Sequence, residues 1–179
     1  MRPTIVVYIA TSIDGFISRT NGSLDWLAPA EDAAAYQRFE TFLSTVMAVV
    51  MGRNTFQLVL SFDQWPYQEI PAYVLSRTLS RLPENSPRTV RLRNCSPEDL
   101  IAELGSQKFQ RVYIDGGETV KGFLVKDLID ELTITRLPII LGSGRTLFGA
   151  VPFDLHYQHV STQTFSTGAV QSKYVRVRH

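Results

Sequence analysis

Read from the amino terminus, apolar positions first form an unbroken β-forming run, TIVVYIATSI at 4–13, closed by Asp14 and Gly15, a pair that suits a hairpin turn. Over 30–45 the spacing changes: Tyr36, Phe39, Leu43 and Val46 recur at helical intervals, and Glu31 and Asp32 stand where acids complement a helix start. The pattern then predicts a buried strand over Met47–Met51, a short helix to about Leu60, and a loop, SFDQWPYQEIP, before the strand AYVLS at 72–76. RTVRLR at 88–93 reads as a further strand.

Ser96 opens the next helix, because Pro97 occupies the first turn, Glu98 and Asp99 make it acidic, and Leu100, Ile101 and Leu104 form its apolar stripe; Gly105 closes it. RVYID at 111–115 is a buried strand, followed by Gly116 and Gly117, a helix carrying Val120, Phe123 and Leu124, and the strand ELTITRLPI, ended by Pro138. The last third alternates in period two: YQHVSTQTF and AVQSKYVRVR flank STG as an antiparallel hairpin. Strands alternating with helices predict an α/β fold, a mostly parallel sheet of about eight strands with an antiparallel C-terminal strand and helices on both faces. The whole of 1–179 reads as one domain, with no repeat, low-complexity tract or linker.

Composition narrows the classes of partner. The chain has 179 residues, 44% hydrophobic and 20% charged, with a formal net charge of +1, so nothing draws it generally to nucleic acid or an anionic membrane. One cysteine, Cys95, excludes an internal disulfide, and His156, His159 and His179 show no metal-ligand spacing, so no metal is expected. Without a signal peptide or a run of 18 apolar residues, a cytoplasmic location is expected.

Two strand ends carry candidate chemistry. Gly52 to Thr55 follow one buried strand and Gly116 to Thr119 follow another, each glycine standing where a helix begins. Helix starts leave N–H groups unpaired and carry partial positive charge, so two of them together suit a pyrophosphate. Neither loop matches the dinucleotide fingerprint G-x-G-x-x-G or the phosphate loop G-x-x-x-x-G-K-[ST].

In order and separation, VVMGRNTF at 49–56, VLSR at 74–77 and VYIDGGETVKGFL at 112–124 resemble the dihydrofolate reductase superfamily. TSIDGFIS at 11–18 and LIDELTITRLPIILGSG at 128–144 resemble, more closely, the C-terminal reductase domain of the bifunctional riboflavin-biosynthesis deaminase-reductases. The resemblance covers nearly the whole chain and implies a dihydrofolate reductase-like fold with NADPH as hydride donor. It implies that Ala10 and Ile17 flank the nicotinamide and that Gly52, Arg53, Asn54 and Thr55 hold the pyrophosphate together with Gly116, Gly117, Glu118, Thr119 and Val120. Arg53, Ser76 and Arg77 would meet the 2′-phosphate, a dianion suited to two guanidinium groups and absent from NADH.

On the substrate side the resemblance implies a small, flat heterocycle, pteridine- or pyrimidine-like, in a cleft walled by Asp14, Trp26, Asp32, Tyr36 and Asp115. Asp115 matches a substrate-contacting glutamate of the riboflavin branch, and Trp26 falls where dihydrofolate reductases keep a tryptophan. Where those reductases place a helix carboxylate, this chain has Tyr36, with Asp32 one turn earlier; these two are the candidate proton donors. The expected activity is NADPH-dependent reduction of such a ring, resembling the 5-amino-6-(5-phosphoribosylamino)uracil reductase step. The alternatives are a non-catalytic NADPH-binding protein of the same fold and a dihydrofolate reductase with an altered proton donor. Reductases of the riboflavin branch are commonly dimers, so a homodimer is also an expectation.

Overall fold

The computed structural model describes residues 1–27 and 33–178. Its element order is β1 Thr4–Thr11, β2 Phe16–Ser18, α1 Ala33–Leu43, β3 Ala48–Gly52, α2 Arg53–Leu60, β4 Ala72–Leu75 and β5 Val90–Arg93. The second half runs α3 Pro97–Ser106, β6 Arg111–Asp115, α4 Gly117–Leu124, β7 Glu131–Arg136, β8 Arg145–Thr146, β9 Tyr157–Thr164 and β10 Val170–Arg176. Eight strands form one sheet in the order β5-β4-β3-β6-β1-β7-β10-β9. Pairing is parallel from β5 through β7, and β10 enters antiparallel between β7 and the edge strand β9. This is the expected α/β architecture.

The central parallel strands β3 and β4, AVVMG and AYVL, are apolar along their length because both faces are covered. Val49, Val50 and Met51 of β3 are each fully buried, with side chains of alternating direction entering opposite cores. Such side chains contribute roughly 1.5–3 kcal/mol each on burial. One core joins Val50 and Ile114 to α3 and α4 through Leu100, Leu104, Val120 and Phe123. The other joins Val49 and Met51 to α2 through Phe56 and to the end of α1 through Leu43, with Phe39 and Phe42 packed on Tyr8 and Tyr113.

Several expected boundaries move for local reasons. Gly105 does not end α3, which continues to Ser106 and stops where Lys108 takes a positive φ of 64°. A Cβ at Gly105 would stand 2.7 Å from the Met1 carbonyl oxygen, so the glycine serves a close crossing of the amino-terminal backbone. Asp14 and Gly15 do make a tight turn, with Gly15 at φ 84°, but β2 pairs antiparallel with the two-residue β8 in a separate small ribbon. The strand expected over 131–139 ends at Arg136, ahead of Pro138. The expected start of α1, with Glu31 and Asp32, lies outside the described residues.

Candidate functional site

The carboxyl ends of β3 and β6 lie side by side, Met51 opposite Asp115, and from each a glycine leads straight into a helix. Gly52 caps α2 and Gly116 caps α4, and neither supplies a side-chain acceptor to its helix. The two starts therefore present uncapped N–H groups at one place. They also interlock. A Cβ on Gly116 would overlap Thr55 Oγ1, a Cβ on Gly117 would overlap Ile17 Cδ1, and a Cβ on Gly52 would stand 3.0 Å from Thr119 Oγ1. Gly116 has φ 89°, a conformation side chains rarely adopt.

Around this junction opens a cleft of about 1680 Å³. Ala10, Ile17, Gly52, Arg53, Asn54 and Thr55 line it. So do Ser76, Arg77, Gly116, Gly117, Glu118 and Thr119. Val120 sits beneath, fully buried, its N–H donating to the Gly116 carbonyl at 2.9 Å. Arg53 donates to Thr78 Oγ1 at 2.9 Å, and Ser76 Oγ accepts from the Leu79 N–H at 2.9 Å, tying the β4 end to the α2 start. The one acid in the first turn of α4, Glu118, is paired with Lys121 at 3.0 Å.

A second part of the lining is built from side chains. Asp115 and Tyr36 both line the cleft, Tyr36 being 60% exposed. The Tyr67 hydroxyl, on a side chain that is itself buried, donates to Asp115 Oδ2. Burial pushes the Asp115 carboxyl above the usual carboxylate range, against the opposing pull of the Tyr67 and Tyr113 hydroxyls and the Gly116 amide. Burial, and next the Asp115 charge, push the Tyr67 phenol well above its ordinary value. Tyr113 donates to the Tyr8 carbonyl at 3.0 Å, and the Gln171 amide donates to Tyr8 Oη at 2.9 Å and Thr135 Oγ1 at 2.8 Å. Tyr8, Tyr67, Thr135 and Gln171 all line the cleft; Tyr8, Tyr67 and Gln171 stand in no motif, and Thr135 lies within LIDELTITRLPIILGSG without being singled out there. The one sequence signal for Tyr8 is its place two residues before Ala10 in β1, which puts both on one face.

Two expected substrate residues stand elsewhere. Asp14 does not line the cleft; its exposed carboxylate accepts from the N–H groups of Leu141, at 3.2 Å, and Gly142, at 2.8 Å. The Ser12 hydroxyl, together with those amides, holds it below the usual range. Trp26 is 4% exposed in a small cluster with Leu137 and Ala169, which themselves face the cleft, so the indole backs the wall without forming its surface. Asp32 lies outside the described residues.

The profile of the RibD C-terminal domain family matches residues 3–171. The chain belongs to that family. A protein of Shewanella sp. PV-4, described as a candidate riboflavin biosynthesis protein, is 40% identical, covers 98% of this chain and 99% of its own, and superposes with a TM-score of 0.89. The Bacillus subtilis (strain 168) protein YwjB, described as an uncharacterized protein, is 34% identical over 98% of this chain and 99% of its own. The dihydrofolate reductase of Enterococcus faecalis, at 16% identity and a TM-score of 0.68 over 98% of both chains, shares the fold. The RibD C-terminal family and the dihydrofolate reductase-like fold together support a reductase of the riboflavin-biosynthesis type. Among the described residues no helix is long and apolar enough to cross a membrane, and no group of His, Cys, Asp and Glu could hold a metal ion.

Proposed function

We propose that the protein is an NADPH-dependent reductase that delivers hydride to a flat pteridine- or pyrimidine-like ring. The observation that carries this reading is the interlock of Gly52 and Gly116 with Thr119 and Thr55, which sets two uncapped helix starts at one point beside Arg53 and Arg77. The residues fit the cofactor: side chains on the glycines would fill the cradle that backbone N–H groups need to approach a pyrophosphate. Arg53, Ser76 and Arg77 would hold the 2′-phosphate by charge-assisted hydrogen bonds, and Ala10 and Ile17 would flank the nicotinamide.

When bound, NADPH supplies the hydride. The chain's own part is to hold the ring against that cofactor and deliver a proton. Asp115, its carboxyl held by Tyr67, is assigned to the substrate ring, and Tyr36 or Asp32 to proton delivery. Trp26 serves the site from behind by fixing Leu137 and Ala169.

Titration calorimetry tests the cofactor half: NADPH should bind at least ~10-fold more tightly than NADH, since charge-assisted bonds to the extra phosphate contribute roughly 1.5–3 kcal/mol each. Equal affinities, or none, would overturn it. The substrate half is tested by incubating protein and NADPH with a panel of pteridines and pyrimidines and following loss of absorbance at the reduced-nicotinamide band. Tight NADPH binding with uniform inactivity would instead favour a non-catalytic binding protein.

A further inference from the structure

Gln171 reaches the cleft from β10, the strand that runs against all its parallel neighbours. Its Cα is in register with Thr135 of β7, and Thr135 is in register with Ala10 of β1. The three side chains therefore form one row across the sheet, on the face that Tyr8 shares with Ala10. The row leads from the proposed nicotinamide position to the side-chain wall.

The Gln171 amide is clasped between two hydroxyls. Its nitrogen donates to Tyr8 Oη at 2.9 Å and to Thr135 Oγ1 at 2.8 Å, which uses both of its hydrogens. No backbone group anchors either end among the described hydrogen bonds. A hydroxyl that accepts keeps its own proton for another partner, so in this sense the trio offers the cleft one carbonyl acceptor and two hydroxyl donors. A half-turn of the amide, with both hydroxyls rotating to match, reverses every bond and loses none: the carbonyl then accepts from Tyr8 and Thr135, and the amide hydrogens become free. An amide held by a backbone N–H or C=O could not reverse without leaving that group unpaired.

Resting on the reading of the cleft as a reductase site, we propose that Gln171, held by Tyr8 and Thr135, reads the polar edge of the ring and accepts that edge in either sense. The two senses are a carbonyl beside a ring N–H and an amino group beside a bare ring nitrogen. Gln171 is thus the specificity-determining residue of the side-chain wall, and its specificity is deliberately broad.

Two probes separate the senses: pteridine-2,4-dione and 2,4-diaminopteridine, titrated by calorimetry into protein saturated with NADP⁺, which permits no turnover. Wild-type protein should bind the two within ~10-fold of each other, since the same hydrogen bonds form in both senses. Gln171→Glu, whose carboxylate can only accept, should shift the ratio at least ~10-fold toward the diamino ring. Gln171→Leu should weaken both by ~10-fold, the loss expected for one hydrogen-bonding group. NADP⁺ affinity unchanged in both variants shows that the fold is intact. An unaltered ratio in Gln171→Glu overturns the proposal, as does wild-type protein that takes only one ring, or NADP⁺ and neither ring. Failure of wild-type protein to bind NADP⁺ overturns the reductase reading instead, and the ring titrations repeated without nucleotide then decide the role of Gln171 by the same ratio.

Discussion

The two walls of the cleft are made of different material. One is backbone: Gly52, Gly116 and Gly117, packed so closely against Thr119, Thr55 and Ile17 that an added Cβ would crowd or overlap them, begin two helices with uncapped N–H groups. The other is side chain: Tyr8, Tyr67, Asp115, Thr135 and Gln171 meet through hydroxyl, carboxyl and amide groups drawn from four strands and a loop. A backbone wall has little latitude, because its chemistry is the same whatever the sequence and only its geometry can fail. A side-chain wall can be rewritten one residue at a time without disturbing the sheet beneath it. The fold thus keeps one invariant grip and one adaptable surface.

The backbone wall should therefore break hardest. Gly116→Ala combines a φ of 89° that alanine resists with a Cβ that overlaps Thr55 Oγ1. Left-handed backbone costs ~1–2 kcal/mol and overpacking a further ~1–3 kcal/mol. Thermal unfolding should register that loss, and NADPH affinity should fall at least ~100-fold as the helix starts are pushed apart. Adding Thr55→Ala should recover the overlap but not the backbone strain, so a partial rescue is expected. Gly52→Ala, at an ordinary φ of −84° and 3.0 Å from Thr119 Oγ1, is the milder companion if the first variant does not fold. Unchanged stability and affinity in Gly116→Ala would erase the distinction between the walls.

Next comes the charge that the backbone wall borrows. Arg53→Glu with Arg77→Glu replaces two exposed guanidinium groups at its rim. NADPH affinity should drop by ~100-fold, NADH affinity should stay within ~2-fold, and the melting temperature should hold, because exposed ion pairs contribute little to folding. A parallel loss for both nucleotides would mean the arginines do not meet the extra phosphate.

The same division decides what the sequence could disclose. The glycine loops were legible because each is a contiguous strand, glycine and helix, a pattern whose period changes within a few residues. The parallel sheet was legible for the same reason, from runs such as AVVM and RVYID. Gly105 looked like a helix end because the crossing of Met1 beneath it is a long-range event. Trp26 looked like cleft surface, yet Leu137 and Ala169 cover it from a distant part of the chain. Tyr67 lies in a stretch that read as plain loop, and its meeting with Asp115 follows only from sheet order. Residues that act by converging leave no local period to read.

On the side-chain wall, Tyr67→Phe should act more gently. Removing the hydroxyl takes from Asp115 a donor that favours its ionised form, so its titration should move still further up. A carboxyl raised in the folded state binds its proton there more tightly than in the unfolded chain. Stability therefore declines as pH climbs from the ordinary carboxylate range through the folded value, and the variant should extend that decline upward. Carbon NMR of the Asp115 carboxyl gives the direction, and a downward shift would refute it. Binding of a pteridine should weaken by up to ~10-fold while NADPH affinity holds, matching one hydrogen bond of ~1 kcal/mol.

The smallest effect on either wall is expected at the far end of the sheet, where Glu131 opens β7. Its carboxylate takes both ends of the Arg111 guanidinium at 2.9 Å and Lys173 at 2.8 Å. Arg111 first, and then Lys173, pull it down from 4.5 to about 2. A depressed folded value stabilises above the unfolded one and is lost as pH falls toward about 2. Glu131→Gln should thus lower stability near neutral pH by ~1–3 kcal/mol, the more so because it strands the Arg111 charge. The gap from wild type should close as pH falls from 4.5 to about 2. Yet NADPH and pteridine affinities should both stay within ~2-fold at pH 7, since neither wall touches this end and distant sites act independently. Loss of either affinity would show that the walls share their rigidity with the whole sheet, and the contrast between an invariant grip and an adaptable surface would no longer be local to the cleft.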